Sequence, residues 1–267
     1  MNTRMPAVAG RFYPGSAASL RRELESLVPQ TTDKRAVKGL VAPHAGYVYS
    51  GPVAGAVYAA VSIPERALVL CPNHTGRGAP FAVQSEGAWA TPLGEVPIES
   101  SLARRLKEEC PLLEEDGAAH AREHSLEVQL PFLQHLAPGI RFVPVCVGSG
   151  RLGSLLELGD SIARVLEAEP ETLLVASSDM THYESATAAR KKDEKAIDRM
   201  KALDPEGLFR VVTEHAISMC GYAPAVVVMQ ACRALGATRG ELVRYANSGD
   251  VSGDYAAVVG YAGVIFL

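Results

Sequence analysis

The sequence predicts an α/β fold, one domain over residues 1–267. Short apolar runs of strand length recur at Gly39–Ala42, Ala67–Cys71, Phe142–Val147 and Leu173–Ala176, each closed by proline, glycine or serine-aspartate. Between them lie longer stretches with apolar residues at helical spacing. No internal repeat or low-complexity linker divides the chain, so strands and helices alternating around one sheet is the economical outcome.

Taken in order, residues 1–16 are irregular, and their aromatics Phe12 and Tyr13 either line a pocket or pin the terminus. Ser16 caps a helix to about Val28, with Leu20, Leu24 and Leu27 on one face. The run ending at Ala42 is stopped by Pro43, which disfavours helix in the residue before it and leaves His44 where strand gives way to loop. A helix is expected over Pro52–Val61, because proline suits a first turn. The second run ends in Pro72-Asn73-His74. From Pro80 short alternating pieces suggest hairpins, with Trp89 in the core, before a helix at Ser101–Glu109.

Asp116–Glu123 is polar and loop-like. Ser125 then opens one helical stripe, Leu126, Leu130, Leu133 and Leu136, kinked at Pro131. After the strand at Phe142–Val147 comes a helix at Leu152–Ala168, then the run ending in Ser177-Ser178-Asp179, with His182 just beyond. Helices follow at about Ala186–Leu203 and Pro205–His215. Cys220-Gly221 interrupts, and Pro224 starts an apolar helix to about Leu235. Strands near Leu242–Ala246 and Ala256–Phe266 close the chain.

Composition narrows the function. Apolar residues make up 48% of the 267, ample for a buried core, and the net charge is −4 with no sustained Lys/Arg block. Nucleic-acid binding therefore has no electrostatic footprint. No apolar stretch is long enough to span a bilayer and no signal segment opens the chain, so a soluble cytoplasmic protein is expected, without a membrane partner. Five cysteines without CxxC spacing argue against a disulfide framework.

The chemistry gathers at strand ends. His44, His74 and His182 each follow a strand-like run, and parallel strands bring such ends side by side, where converging imidazoles suit a metal. Cys220 stands just before a helix N-terminus, where a thiolate is favoured, and is a candidate third ligand. Asp179 either holds His182 in one tautomer, as an acid/base pair, or caps a turn beside a surface histidine. His124 and Glu127, three apart at a helix start, can face one cavity; His124 equally suits a capping region. Tyr13, Tyr47 and Asn73 complete the candidate pocket, and His120, His135 and His215 read as structural.

These residues carry a family resemblance. AGRFYPGS, APHAGYVYSG around His44, CPNHTG around His74, TPLGEV, EHSLEVQLPFL, PVCVG, SSDMTHY, ISMCGYAP and the closing YANSGDVSGDYAAVVGYAG follow one another over nearly the whole chain. The sequence resembles the Memo family (AmmeMemoRadiSam system protein B), which is similar in fold to the class III extradiol non-haem iron dioxygenases. The resemblance implies an αββα-type sandwich with a mixed central sheet flanked by helices. It also implies metal-site residues at His44, His74 and Cys220, with Asp179 and His182 beside them. The dioxygenases hold iron with two histidines and a carboxylate; Cys220 stands in the carboxylate's place, and its softer sulfur also suits Cu(I) or Zn.

Three functions follow. The first is a metal-dependent redox enzyme, dioxygenase-like, taking O₂ or a small aromatic molecule in its pocket, with Fe(II) expected at one transition-metal site and copper or zinc as alternatives. His182 and Asp179 would serve as its acid/base groups. The second is a non-catalytic adaptor receiving a peptide or protein in the same pocket, with Tyr13, Tyr47 and Tyr49 as contact surface. The family label also implies AMMECR-type and radical-SAM partners. The third is a zinc hydrolase with His182 or Glu127 as base.

Overall fold

Apolar alternation on both faces explains the centre of the fold. A computed structural model describes residues 3–148 and 150–267; Met1, Asn2 and Ser149 lie outside the described residues. After strand β1 (Thr3–Arg4) comes α1 (Ala17–Leu27), whose N-terminus Ser16 caps by accepting from the Ser19 N–H. Strand β2 (Gly39–Ala42), helix α2 (Tyr47–Ala59) and strand β3 (Arg66–Pro72) follow. The excursion comprises β4 (Phe81–Val83), the hairpin β5 (Ala88–Thr91) and β6 (Gly94–Pro97), α3 (Ser100–Glu109) and β7 (Glu114–Glu115).

Short helices α4 (His124–Glu127) and α5 (Leu130–Leu136) lead to β8 (Arg141–Val147), α6 (Leu152–Leu166) and β9 (Thr172–Ser177). Then come β10 (His182–Glu184), α7 (Ala186–Lys201), α8 (Pro205–Glu214) and α9 (Tyr222–Ala234). Strand β11 (Gly240–Asn247), α10 (Gly249–Ser252) and β12 (Val258–Phe266) end the chain.

Among the described residues nine strands form one mixed sheet in the order β10-β12-β2-β9-β3-β8-β4-β7, with β11 on β12. A smaller sheet joins β1, β5 and β6. The central strands β2, β9, β3 and β8 run parallel, while β12 joins β2 and β4 joins β8 antiparallel. Both faces are covered. Val41, Leu68, Leu70, Val143 and Leu174 enter one core, and Leu40, Val69, Phe142 and Val175 enter the other. This two-residue period, apolar on both sides, marks a sheet layered between helices. The α/β class and the mixed, helix-flanked sheet are as the sequence predicts. No helix among the described residues is long and apolar enough to cross a membrane.

Two elements differ from expectation. Helix α2 starts at Tyr47 rather than Pro52, with Gly46 at its N-cap and Pro52 inside it. Pro52 withholds an N–H from the carbonyl of Val48, but Val48 is exposed, so water can satisfy that oxygen. The stripe after Ser125 is two helices, not one kinked helix. Pro131 sits in the first turn of α5, and at the break Tyr47 of α2 donates to the Val128 carbonyl at 2.6 Å.

Candidate metal centre

The site lies at the carboxyl ends of β2, β9 and β3, the edge where open α/β sheets bind ligands. Ala42 and Ser177 are register partners, and His44 and Asp179 each stand two residues beyond them. His74 is likewise two residues past the end of β3. Equal offsets on neighbouring parallel strands bring these side chains together.

Hydrogen bonds assign the tautomer of His44. Ser177 donates its hydroxyl proton to the Ser125 carbonyl at 2.6 Å and accepts from the Gln129 amide nitrogen at 2.8 Å. The remaining contact, His44 Nδ1 at 2.9 Å, is therefore an N–H donating to Ser177 Oγ. That leaves His44 Nε2 unprotonated. Burial holds the His44 pKa well below the usual range, with the charges of His74 and His124 acting the same way, so the ring is neutral and ready to ligate.

Glu123 does the same for His74. Its carboxylate accepts His74 Nδ1–H at 2.9 Å and the His74 backbone N–H at 2.6 Å, and so turns Nε2 outward. Burial pushes the Glu123 carboxyl up, but hydrogen bonds from His74 and Ser125 outweigh it and hold the pKa at about 2. His124, the first residue of α4, supplies a third imidazole, stacked on His74 at 4.8 Å and edge-on to His44 at 5.6 Å. One ligand atom from each of His44, His74 and His124 lies within 4.8 Å of the other two. This spacing fits a metal ion.

Cys220 stands at its edge. Its Sγ is 3.2 Å from His44 Nε2 and accepts the Asp179 backbone N–H at 3.4 Å. Gly221 permits this: a Cβ there would come within 2.2 Å of the Ser177 carbonyl oxygen. Burial, reinforced by the charge of Asp179, pushes the Cys220 thiol up, so it is protonated and its S–H can donate to His44.

The expected pairing of Asp179 with His182 is corrected. Asp179 Oδ1 accepts the His44 backbone N–H at 2.8 Å, whereas His182 Nδ1 meets the Ser218 carbonyl at 2.9 Å. The reason is register: Asp179 faces the neighbouring strand's loop, while His182 has already turned into β10. Burial raises Asp179 to about 6 against the hydrogen bonds from His44 and Ala45.

Other candidates are engaged elsewhere. Glu127 is fully buried and accepts from Arg4 at 2.7 Å, Tyr13 Oη at 2.7 Å and the N–H groups of Ala7 and Val8. It fastens the N-terminal segment to α4 and has no room to act as a base. Tyr13 and Tyr47 are correspondingly buried, and Tyr13 pins the terminus. Asn73 shapes its own loop, accepting from the Thr75 and Gly76 N–H groups.

Sequence reading passed over Glu123, Ser177, Gln129 and Arg4. Glu123 has one local signal, an acidic residue ahead of His124-Ser125 that caps α4 through the Ser125 N–H. Arg4 has none. It donates to the carbonyls of His120 and Glu123 at 2.7 and 2.8 Å from over a hundred residues away.

Comparison with known proteins shows the family of the chain. A family model described as Memo-like protein matches residues 4–265. A MEMO1 family protein of Methanopyrus kandleri is 46% identical, over 98% of both chains. Another, of Aquifex aeolicus, is 44% identical over all of both. An uncharacterized protein of Escherichia coli K12 superposes with a TM-score of 0.57 at 16% identity, covering 86% of this chain and 99% of its own, a likeness of fold alone.

Proposed function

The chain belongs to the Memo-like protein family, and from that premise we propose that it is a metal-binding redox protein whose centre is His44, His74 and His124, with Cys220 alongside. One observation carries this reading. The Nδ1–H groups of His44 and His74 are both taken by oxygen acceptors, so two unprotonated Nε2 atoms stand beside a third imidazole, that of His44 facing Cys220 Sγ. Protein metal sites fix their histidines in this way, through a hydrogen bond from the other ring nitrogen.

The donor set fits a transition ion. Imidazole suits Fe, Cu and Zn alike, and sulfur shifts preference toward the softer ions. Donors bound at about 2.0 Å through nitrogen and 2.3 Å through sulfur stand roughly 3.5 Å apart at a tetrahedral angle. The 3.2 Å between His44 Nε2 and Cys220 Sγ suits joint ligation. Fe(II) is the proposed ion, with copper or zinc as alternatives; bound there it would supply one-electron or O₂ chemistry.

The chain's own residues do the rest. Ser177 and Glu123 keep two imidazoles in the ligating tautomer, and Asp179 holds the backbone of His44. His182, half-buried near the cluster, is the proton carrier in this proposal. Five free thiols suit a reducing compartment, the cytoplasm.

Anaerobic reconstitution with Fe(II), zinc and copper in turn, followed by metal analysis and exposure to O₂, tests the proposal. Stoichiometric binding that disappears in His44→Ala/His74→Ala is expected. Metal at background in the wild type would end it. A second reading, a partner-binding module, draws on the exposure of Tyr49 and Tyr183, 40% and 79%. Capture of a defined partner by metal-free protein, indifferent to His44→Ala, would favour it.

A further inference from the structure

Beside His124 the surface opens into a cavity of about 530 Å³, within the range of small-molecule sites. Its walls are of two kinds. Val8, Phe12 and the exposed Met5 give an apolar lining, and Phe12 packs on the His124 ring at 4.9 Å. Arg11 and Arg122, both exposed, line it with cations.

Charge balance around the cavity is one-sided. Among the described residues no carboxylate lies within ion-pair distance of Arg11 or Arg122. The acids nearest Arg122 in sequence are already engaged: Glu127 by Arg4, and Glu123 by His74 and Ser125. The two guanidiniums therefore face a volume with no anion of the protein's own to answer them, while His124 belongs both to this wall and to the metal cluster.

We propose that this cavity is the substrate chamber of the metal centre and that it takes a small amphipathic anion. The apolar body lies against Val8 and Phe12 toward His124, and a carboxylate or phosphate head pairs with Arg11 and Arg122. Arginine suits this, because its planar fork matches either head group. The proposal rests on reading the His44–His74–His124 cluster as the metal site and adds the class of substrate that the site receives.

Titration of ¹⁵N-labelled protein, metal-free and zinc-loaded, with benzoate, phenyl phosphate and benzamide tests it. Saturable shifts at the amides of Val8, Phe12, Ala121 and His124 are expected with at least one anion. Benzamide, equal to benzoate in shape but uncharged, should bind at least about tenfold more weakly. The stronger anion identifies the head group. Arg11→Gln/Arg122→Gln, both at exposed positions, should erase the preference for anions while its zinc content stays at the wild-type level. Benzamide binding as well as the anions, anions binding that variant as well as the wild type, or no saturable shift at these amides would overturn the proposal. Anion binding as expected in a protein that holds no zinc, iron or copper would instead sink the metal reading and leave the chamber standing.

Discussion

Glu123 grips His74 twice, accepting its backbone N–H at 2.6 Å and its ring Nδ1–H at 2.9 Å from a fully buried carboxylate. The same carboxylate takes the Ser125 N–H and hydroxyl at 2.9 and 2.7 Å. One side chain thus fixes His74, a proposed ligand from the loop after β3, and the start of the helix that carries His124.

Glu123→Gln should therefore weaken metal binding by about 10- to 100-fold, the usual effect of losing a carboxylate behind a ligating histidine. It should also change acid stability. The carboxyl is held at about 2, against an ordinary value of 4.5. Its contribution is complete above 4.5 and is lost as pH falls from there toward 2, roughly 3 kcal/mol at the upper bound. Denaturant unfolding of the metal-free wild type and variant should show their stability difference shrinking across that window. A difference flat from pH 5 to 3 would contradict it.

His124 and Cys220 can be told apart by subtraction. His124→Ala should reduce bound metal to background, since it removes one of the three atoms that converge. Cys220→Ala should keep the metal and lose any sulfur-to-metal charge-transfer band of a cobalt-substituted protein. The opposite pattern in metal analysis and absorption spectra would assign the ligands as His44, His74 and Cys220.

Ser177→Ala tests the tautomer of His44. The substitution strands the buried His44 Nδ1–H and takes the hydroxyl donor from the Ser125 carbonyl, while the Gln129 amide keeps the Pro43 carbonyl. Stability should fall by about 1–3 kcal/mol, and metal affinity by about tenfold or more as the ring loses its orientation. Unchanged affinity measured by competition with a chelator would mean that Ser177 does not orient the ligand.

Histidines 44 and 74 are legible in the sequence because a strand end is a local event: an apolar run, a proline, then the imidazole. The role of His124 is not, since it depends on α4 being swung onto the strand ends by Arg4 and Glu127, both tied to distant segments. Asp179 shows the opposite failure. Nearness along the chain pairs it with His182, yet register across two parallel strands gives it to His44. The layered sheet was easier to foresee, because burial of alternate residues on both faces is written into each strand separately.

His120 offers a test of burial alone. Its ring is fully buried, edge-on to Trp89 at 5.6 Å, and the Ala82 backbone beside it does not meet either ring nitrogen in good hydrogen-bond geometry. Burial, then the charge of Arg4, hold its pKa at about 4. What the fold uses is the backbone carbonyl, which accepts Arg4 Nε, and any residue supplies that. An unpaired buried polar group costs about 1–3 kcal/mol, so His120→Leu should raise stability, moving Tm up by about 2–4 °C for each kcal/mol gained. Below neutral pH the gain should widen. The unfolded chain protonates this ring near 6.5 and the folded one only near 4, so the wild type loses stability as pH falls between them and the variant does not. A lower Tm in calorimetry at both pH 7 and pH 5 would mean that a ring nitrogen does have a partner, the Ala82 carbonyl or a buried water.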